Sequence, residues 1–318
     1  MAENSSESAV RSYAKPRAAE AGIFVPLNRL RRRIGEPIIE LCIKLSGFVV
    51  VIFVFLIFLF LLRDSLSLFR QYSVSKFLFG TQWLPISDPP QFGVIPLLLG
   101  SVFVTAWAIF ICVPLGVGSA MFIAEVAPKS LKHVLKSLVE ILASIPSVVL
   151  GFLGIIWLGP FLRNTFHLPT GMCGLTGSLL LAFMALPTII SISEDALVGV
   201  PRTYREAAYG LGATRWQTLW RIILPAASSG ILAAVMLGIG RVVGETMVVL
   251  MVTGNAPVIP KSILQPLRTL TATIAGEMGE TVGGSEHYFA LFAVGLVLFA
   301  ITFTINFVAD LFLRRARK

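Results

Sequence analysis

Apolar residues lie in long runs along this chain, separated by shorter polar segments that hold most of the charged residues. A helix needs about 20 apolar residues to cross the hydrocarbon core of a bilayer. Six runs come close to that length, and they predict six membrane-spanning helices. The predicted spans are Leu45–Leu62, Ile95–Phe122, Leu138–Leu162, Gly174–Ile192, Gly230–Val252 and Tyr288–Leu311.

Two segments between or within these runs predict local departures from a straight helix. Ser144–Ser147 contains Pro146, which has no N–H to donate, so the third span is expected to break or bend there. The polar segment Thr253–Glu286 separates the last two spans. Within it, Ile263–Met278 is interpreted either as a re-entrant or interfacial helix or as a solvated loop.

The composition agrees with a membrane protein. Of the 318 residues 56 % are hydrophobic and 14 % charged, whereas about 25 % of the residues in a soluble domain are charged. A chain with so few charges lacks a surface suited to water. The fold class predicted is therefore an all-α, polytopic membrane protein with six transmembrane helices.

The basic residues orient the predicted spans. Nineteen of the 26 Lys and Arg residues fall in the two terminal segments and the loops on the same side, and six fall in the opposite loops. Lys and Arg are enriched on the cytoplasmic side of membrane proteins, so both termini are expected there. Residues 1–44 are predicted to be a basic cytoplasmic tail and residues 45–318 the transmembrane domain. Met1–Gly22 is polar and predicts disorder, while Arg29 and Arg31–Arg33 would anchor to anionic lipid.

Several chemistries lack the residues that they need. The three cysteines and three histidines are scattered, so no metal site is expected. The basic residues are not interleaved with an aromatic platform, so nucleic acid is not an expected partner. There is no Gly-x-x-x-x-Gly-Lys-Ser/Thr loop, and the chain is therefore not expected to bind ATP through a P-loop.

The cytoplasmic segment 193–225 predicts a helix, a turn and a second helix. Two capping boxes, Thr203 with Glu206 and Thr214 with Gln217, would each begin a short helix. Gly212 lies between them, where a left-handed residue would end the first helix. On these features alone, a surface linker between two spans explains the segment equally well.

The spacing within this segment resembles the EAA loop of bacterial ABC importer permeases. Glu-Ala-Ala is followed by Gly six residues after the Glu and later by Ile-x-Leu-Pro; the residues are Glu206, Ala207, Ala208, Gly212, Ile222, Leu224 and Pro225. The resemblance implies that the short helix docks on a separate ATPase subunit and carries its movement into the spans. The absence of a P-loop agrees with an ATPase supplied by another polypeptide.

The fifth run contains two charged residues, Arg241 and Glu245. Ionisable residues at membrane depth cost about 2.5–3.5 kcal/mol on insertion scales, so they normally face a bundle interior or an aqueous path. Their spacing of four predicts that they share one helix face and pair. Gly240 and Gly244 form a Gly-x-x-x-Gly step, which lets a neighbouring helix or a bound ion approach the backbone.

Two interpretations of this pair remain open. It is either a structural ion pair that sets the helix register, or part of a substrate path in which Arg241 contacts an anion. The planar guanidinium suits an oxyanion because it makes two parallel hydrogen bonds. Glu245 would hold the guanidinium while the path is empty. Gly240, Gly244 and Thr246 complete the candidate path.

The string Gly-Arg-x-x-Gly-Glu-Thr-Met at 240–247 is similar to phosphate-specific importer permeases, and more to the C-type (PstC-like) subunit than to its A-type partner. The strings at 122–128 and 140–148 agree. The resemblance extends from about Val94 to the end of the chain. It implies an ABC importer type I permease fold and translocation of inorganic phosphate. The implied partners are an A-type permease, a homodimeric ATPase that binds ATP and Mg²⁺, and a periplasmic or lipid-anchored phosphate-binding protein. No cofactor and no enzyme activity are expected in this chain itself.

Three alternatives compete with this interpretation. The transported anion is sulfate, molybdate or phosphonate in the first. The second is an ATP-independent secondary transporter, for which inverted repeats would be expected, and the sequence has no convincing internal repeat. The third is an intramembrane enzyme, although the predicted spans offer few ionisable residues for one, among them Glu140, Arg241 and Glu245.

Overall fold

The apolar runs fold as helices. The structure is a computed structural model that describes the backbone of residues 27–316 and the side chains of residues 39–311. It divides into two compact units, Met1–Ile57 and Phe58–Lys318. The long helices are α1 (Leu27–Phe69), α3 (Ile95–Met121), α7 (Gly174–Val198) and α14 (Glu286–Ala316). The shorter ones are α2 (Val74–Phe79), α4 (Lys129–Ser144), α5 (Ser147–Leu153), α6 (Gly159–Phe166), α8 (Arg202–Gly210), α9 (Arg215–Thr218), α10 (Leu224–Ala226), α11 (Ser228–Val243), α12 (Met247–Val252) and α13 (Leu270–Glu277).

Within the described residues, five helical stretches are long and apolar enough to cross a bilayer: Ile39–Phe69, Ile95–Val126, Ser147–Phe166, Gly174–Val198 and Glu286–Leu311. Two further helical stretches, Arg215–Ala226 and Ser228–Val243, follow one another with a bend of 69° between them. They count as a sixth span if they are taken together. The predicted all-α membrane architecture is therefore confirmed. The predictions for Met1–Gly22 and for the side chains of Arg29 and Arg31–Arg33 lie outside the described residues. The proposed division at residue 44 falls inside α1 and stays a prediction.

The predicted ends of two spans are wrong. The first helix does not end at Leu62 but continues through Arg63 and Asp64 to Phe69. The fourth continues past Ile192 to Val198. A charged residue ends an apolar run, but it leaves the backbone hydrogen bonds of a helix intact, so hydropathy underestimates helix length at a membrane surface.

The break predicted in the third span is confirmed, and it separates two different helices. α4 ends at Ser144 and α5 begins at Ser147, with Ile145 and Pro146 extended between them. The span therefore begins at Ser147 rather than at Leu138. α4 is a separate amphipathic helix, with Val139 buried and Ile141 exposed.

The fifth predicted span, Gly230–Val252, is not a single helix. α11 ends at Val243, and α12 begins only at Met247. The three residues between the helices include Glu245, one of the two charged residues predicted to share a helix face.

The main core lies where α3 packs against α7. Residues at every fourth position of α3 are small or β-branched and buried: Val104, Ala108, Cys112, Gly116 and Ala120. A Cβ added at Gly116 would lie 2.7 Å from the side chain of Ile189 on α7. Small residues at this spacing let two membrane helices approach closely, and α3 and α7 form the scaffold on which the other elements are placed.

Three π turns interrupt the described helices, and each ends two residues before a proline. They span Phe122–Val126, Gly154–Leu158 and Leu219–Ile223, and the prolines are Pro128, Pro160 and Pro225. Proline donates no hydrogen bond, and its ring clashes with the carbonyl four residues earlier. A wide turn moves that carbonyl aside, which accommodates a proline that follows within the helix.

The connection between α1 and α3 forms a compact cap on the side opposite segment 193–225. Strands β1 (Trp83–Leu84) and β2 (Gln91–Phe92) pair antiparallel, and Phe77, Trp83 and Phe92 are buried within it. A cavity of about 770 Å³ opens beside the strands, lined in part by Lys76 and Gln82.

One carboxylate joins this cap to the last part of the chain. Glu277 accepts hydrogen bonds from Trp83 Nε1 (3.1 Å) and Arg268 Nη1, and it lies 2.8 Å from His287 Nε2. Glu277 ends α13, whose first residues are buried. The helical interpretation of Ile263–Met278 is thus confirmed over Leu270–Glu277.

Replacing Gly100 by alanine is expected to destabilise the fold. A Cβ at Gly100 would overlap the backbone carbonyl of Arg268, and backbone cannot move aside as a side-chain end does. Overpacking of this kind costs about 1–3 kcal/mol, so the thermal unfolding midpoint of purified Gly100→Ala should fall. Gly118→Ala is the control in the same helix, because no atom lies within 4 Å of its added Cβ. Equal midpoints for both variants would contradict the packing described.

Candidate functional site: transport path and coupling loop

Arg241 lies in the last turn of α11 with its side chain exposed in this chain. Its Nη1 donates a hydrogen bond to Thr188 Oγ1 on α7 at 3.1 Å. The predicted Arg241–Glu245 pair is wrong: among the ion pairs of the described residues, none joins these two side chains. Because the helix ends between them, four residues of separation no longer place them on one face.

Glu245 instead supports the start of α12. Its Oε1 accepts hydrogen bonds from the backbone N–H groups of Met247 (3.2 Å) and Val248 (3.4 Å). These amides belong to the first turn of α12, where a helix has unsatisfied donors and favours negative charge. The carboxylate of Glu245 thus hydrogen-bonds to backbone that follows directly after it. In this conformation it does not hold the guanidinium of Arg241.

Among the described residues, no neighbouring helix packs closely against Gly240 or Gly244. Both are exposed, and a Cβ added at Gly240 would meet only Asn306 Oδ1, at 4.0 Å. Thr246 Oγ1 donates to the carbonyl of Gly244 at 3.4 Å. The surface beside Arg241 is therefore open to an ion or to another subunit.

Hydroxyl groups beside Glu245 were not predicted from the sequence. A cavity of about 10 Å³ is lined in part by Ser101, Thr105, Thr269, Thr271 and Glu245. Thr271 Oγ1 donates to the carbonyl of Glu245 at 2.9 Å, and Ser101 Oγ accepts from the N–H of Leu270 at 2.8 Å. The alternating threonines of 269–273 were the available signal, because they stand in an otherwise apolar stretch.

Segment 193–225 folds as a helix, a left-handed turn and a second helix. The Thr214–Gln217 capping box is confirmed, with both of its hydrogen bonds present. The Thr203–Glu206 box is wrong, because Pro201 is the N-cap of α8 and Thr203 lies inside the helix.

The turn itself has the predicted glycine. Gly212 has φ +81°, and the N–H of Ala213 donates to the carbonyl of Ala208 at 3.0 Å across it. The two helices are thereby held in a hairpin, which we call the coupling hairpin (Arg202–Ile223).

The remaining coupling-loop residues differ in exposure. Ala208 is buried against the second helix, and Ile222 and Leu224 are half-buried. Glu206, Ala207 and Pro225 are exposed. Large apolar side chains are also exposed on this hairpin: Tyr204 (51 %), Tyr209 (46 %), Leu211 (89 %), Trp216 (63 %) and Trp220 (45 %). Exposed apolar groups of this size on a polar hairpin typically mark a protein interface.

A buried carboxylate attaches α4 to the end of α7. Glu194 is 3 % exposed, and its oxygens lie 2.7 Å from Lys132 Nζ and 2.9 Å from Lys136 Nζ. The hydrogen bond to Glu194 raises the pKa of Lys136. The ammonium therefore stays charged at neutral pH, and its contribution would be lost only as the pH rises through that raised pKa.

The described residues contain no cluster of three or more His, Cys, Asp or Glu side chains that could hold a metal ion. Two features of these residues stand out. One is the exposed cationic side chain of Arg241 in the fifth span, and the other is the exposed apolar surface of the coupling hairpin. Both features are expected of a transport subunit.

Comparison with known proteins decides the family. The family described as the binding-protein-dependent transport system inner membrane component matches residues 112–318. The chain belongs to this family. It is a multi-pass permease of the inner membrane.

Two relatives indicate which type of permease within the family this chain resembles. This permease is 42 % identical over 228 residues to the probable ABC transporter permease protein YqgH of Bacillus subtilis (strain 168), covering 72 % of this chain and 74 % of that protein. It is 40 % identical over 259 residues to the phosphate transport system permease protein PstC of Mesorhizobium japonicum, covering 76 % and 78 %. The resemblance to PstC-type permeases is confirmed.

A solved structure confirms the fold. The permease matches a chain in the crystal structure of a bacterial alginate ABC transporter in complex with an alginate pentasaccharide-bound periplasmic protein, with a TM-score of 0.62 and 17 % identity. The match covers 91 % of this chain and 99 % of that chain. The permease thus has the fold of ABC importer type I permeases.

Replacing Gly212 by alanine is expected to loosen the coupling hairpin of this permease. A left-handed conformation costs a residue with a Cβ about 1 kcal/mol, and no atom lies within 4 Å of the added Cβ, so the effect comes from the backbone alone. Hydrogen exchange of peptides covering the hairpin should become faster in Gly212→Ala. Gly210→Ala is the matched control, since Gly210 is helical and equally unobstructed. Unchanged exchange in Gly212→Ala would show that the turn does not depend on glycine.

Proposed function

We propose that this permease is the C-type subunit of an ATP-driven ABC importer that moves inorganic phosphate across the cytoplasmic membrane. The observation that carries the proposal is the exposed guanidinium of Arg241 at the broken fifth span. Identity to a protein named phosphate transport system permease supports the choice of anion.

The position of Arg241 suits transient contact with phosphate. One nitrogen, Nη1, is held by Thr188, which orients the guanidinium without neutralising its charge. Because the carboxylate of Glu245 bonds to α12 amides, the cation does not have to break an ion pair when an anion arrives. Arg241, Glu245, Gly240, Gly244 and Thr246 remain the proposed substrate path, with the roles of the two charged residues separated.

The energy would come from a separate homodimeric ATPase subunit. This sequence has no P-loop, so ATP and Mg²⁺ would be bound by the ATPase and no cofactor by the permease. The coupling hairpin supplies an apolar surface for docking, with Glu206 exposed beside it. The permease itself would carry out no chemical reaction.

Two further partners complete the proposed importer. An A-type permease would pack against the open surface around Gly240 and Gly244, where the described part of the chain provides no neighbour closer than 4.0 Å to an added Cβ at Gly240. A periplasmic or lipid-anchored phosphate-binding protein would dock on the side of the β1–β2 cap. In the proposed orientation, which the distribution of basic residues supports, the coupling hairpin and both termini would lie in the cytoplasm.

The experiment that tests this function is uptake by the reconstituted complex. Proteoliposomes that contain both permeases and the ATPase receive binding protein outside and ATP inside, and radiolabelled phosphate or sulfate uptake is measured. Phosphate uptake that requires ATP and exceeds sulfate uptake is expected. Equal uptake without ATP would indicate a secondary transporter, and sulfate preference would assign another oxyanion.

A further inference from the structure

The side chain of Arg205 connects the coupling hairpin to two membrane helices. Its Nη2 and Nε lie 2.6 and 3.1 Å from Glu125 Oε1. Nη1 donates to the carbonyl of Val200 at 2.6 Å, and Nη2 also donates to the carbonyl of Leu197 at 2.9 Å. The side chains of Arg205 and Glu125 are only 18 % and 16 % exposed.

Two of the acceptors, Glu125 and Leu197, belong to elements that end beside Arg205, and Val200 lies two residues beyond the end of α7. Glu125 lies in the π turn Phe122–Val126 that follows α3. Leu197 is in the last turn of α7, where helix carbonyls lack an intrahelical donor and favour a positive charge. One guanidinium on α8 therefore joins the ends of α3 and α7.

Apolar packing beneath the guanidinium joins the same elements. A buried cluster there combines the end of α3, the end of α7, the second half of the coupling hairpin and the residue that follows α10. Its members are Ala120, Leu197, Val200, Leu219, Ile223 and Ala227. Polar and apolar contacts thus act together, and α8 cannot shift without breaking them or moving α3 and α7. The family motif residue Glu206, by contrast, is exposed on the same helix.

We propose that Arg205 and Glu125 are positioning residues that transmit displacement of the coupling hairpin into α3 and α7. The inference rests on the proposed function, because it assumes that an ATPase moves the hairpin. It assigns the transmission to an ion pair within this chain, whereas docking is left to the exposed residues of the hairpin. A pair that served only to stabilise the fold would change the amount of assembled complex without changing its coupling.

The test measures coupling in the full reconstituted complex. Arg205→Gln and Glu125→Gln should still bind the ATPase, since neither side chain is on the exposed surface. Phosphate moved per ATP hydrolysed should fall by about tenfold or more, because removal of one partner leaves the other charge buried and unpaired. The reversed pair, Arg205→Glu with Glu125→Arg, should recover part of that ratio.

Two controls separate the possible causes. Lys136→Gln removes another ion pair at the end of α7 that does not involve the hairpin, and its transport ratio should equal that of the wild type. Arg205→Lys keeps the charge, but a lysine cannot reach the carboxylate and both carbonyls at once, so an intermediate transport ratio is expected. This variant replaces Arg205→Gln in the test if Arg205→Gln does not assemble.

The outcomes distinguish this inference from the proposed function. A wild-type transport ratio in assembled Arg205→Gln, or in Arg205→Lys if only that variant assembles, would overturn the inference. A wild-type complex that moves another solute but no phosphate would count against the proposed substrate alone, and the same ratio measured with that solute still tests the link.

Discussion

Replacing Arg241 by glutamine is expected to abolish phosphate uptake while the importer remains assembled. The substitution keeps much of the side-chain length and a donor for Thr188 Oγ1, but it removes the positive charge and the planar fork that binds an oxyanion. Since Arg241 is exposed in this chain and makes no ion pair with Glu245, folding should not depend on its charge. Uptake of radiolabelled phosphate in proteoliposomes measures the effect, and co-purification of the subunits measures assembly.

Two variants make this result specific. Arg241→Lys retains a charge without the fork, so partial uptake with a raised KM is expected. Thr188→Val removes the acceptor that holds Nη1 and should weaken uptake moderately by freeing the guanidinium. Wild-type uptake by Arg241→Gln would exclude Arg241 from the substrate path.

Replacing Leu211 by aspartate is expected to prevent the ATPase from binding and therefore to abolish ATP-driven uptake. Leu211 is 89 % exposed at the tip of the coupling hairpin, beside the left-handed Gly212. Replacing an exposed aliphatic residue of this kind should not change the stability of the isolated permease. In a docked complex, however, the aspartate carboxylate would lose its hydration, which costs free energy. Pull-down of the ATPase by the tagged permease measures the interaction directly.

Ile86→Asp is the matched control for this variant. Ile86 is 95 % exposed, but it lies in the connection before α3, on the opposite side from the coupling hairpin. ATPase binding should therefore be unchanged in Ile86→Asp. If Leu211→Asp also binds the ATPase normally, the tip of the hairpin is not the docking surface.

The different outcomes for the two capping boxes show how far local sequence rules reach. Thr214 and Gln217 formed their box because nothing nearby offers a better helix start. Thr203 and Glu206 had the same pattern, but Pro201 starts the helix two residues earlier. With the helix already begun, Thr203 no longer occupies the capping position, and Glu206 is left exposed for a partner.

The Arg241–Glu245 prediction was wrong for a related reason. A spacing of four implies a shared face only if the helix is continuous, and here it ends at Val243. The competing structure is held by contacts that hydropathy does not reveal: Glu245 bonds to the amides of Met247 and Val248, and Thr271 donates to its carbonyl from 26 residues away. Hydrophobic periodicity and hydropathy indicate a single apolar run across this break.

By itself the sequence determined that the chain is a multi-pass helical membrane protein with a helical coupling hairpin. Those features depend on short-range physics: apolar runs must be helical in lipid, and caps and left-handed glycines act within a few residues. Only the tertiary structure decided which charges meet. Arg205 and Glu125 are 80 residues apart, and Glu277 reaches Trp83 across 194 residues, so no local pattern specifies them. Packing of α3 on α7 brings such residues together, and it thereby turns scattered charges into the link proposed for the transport cycle.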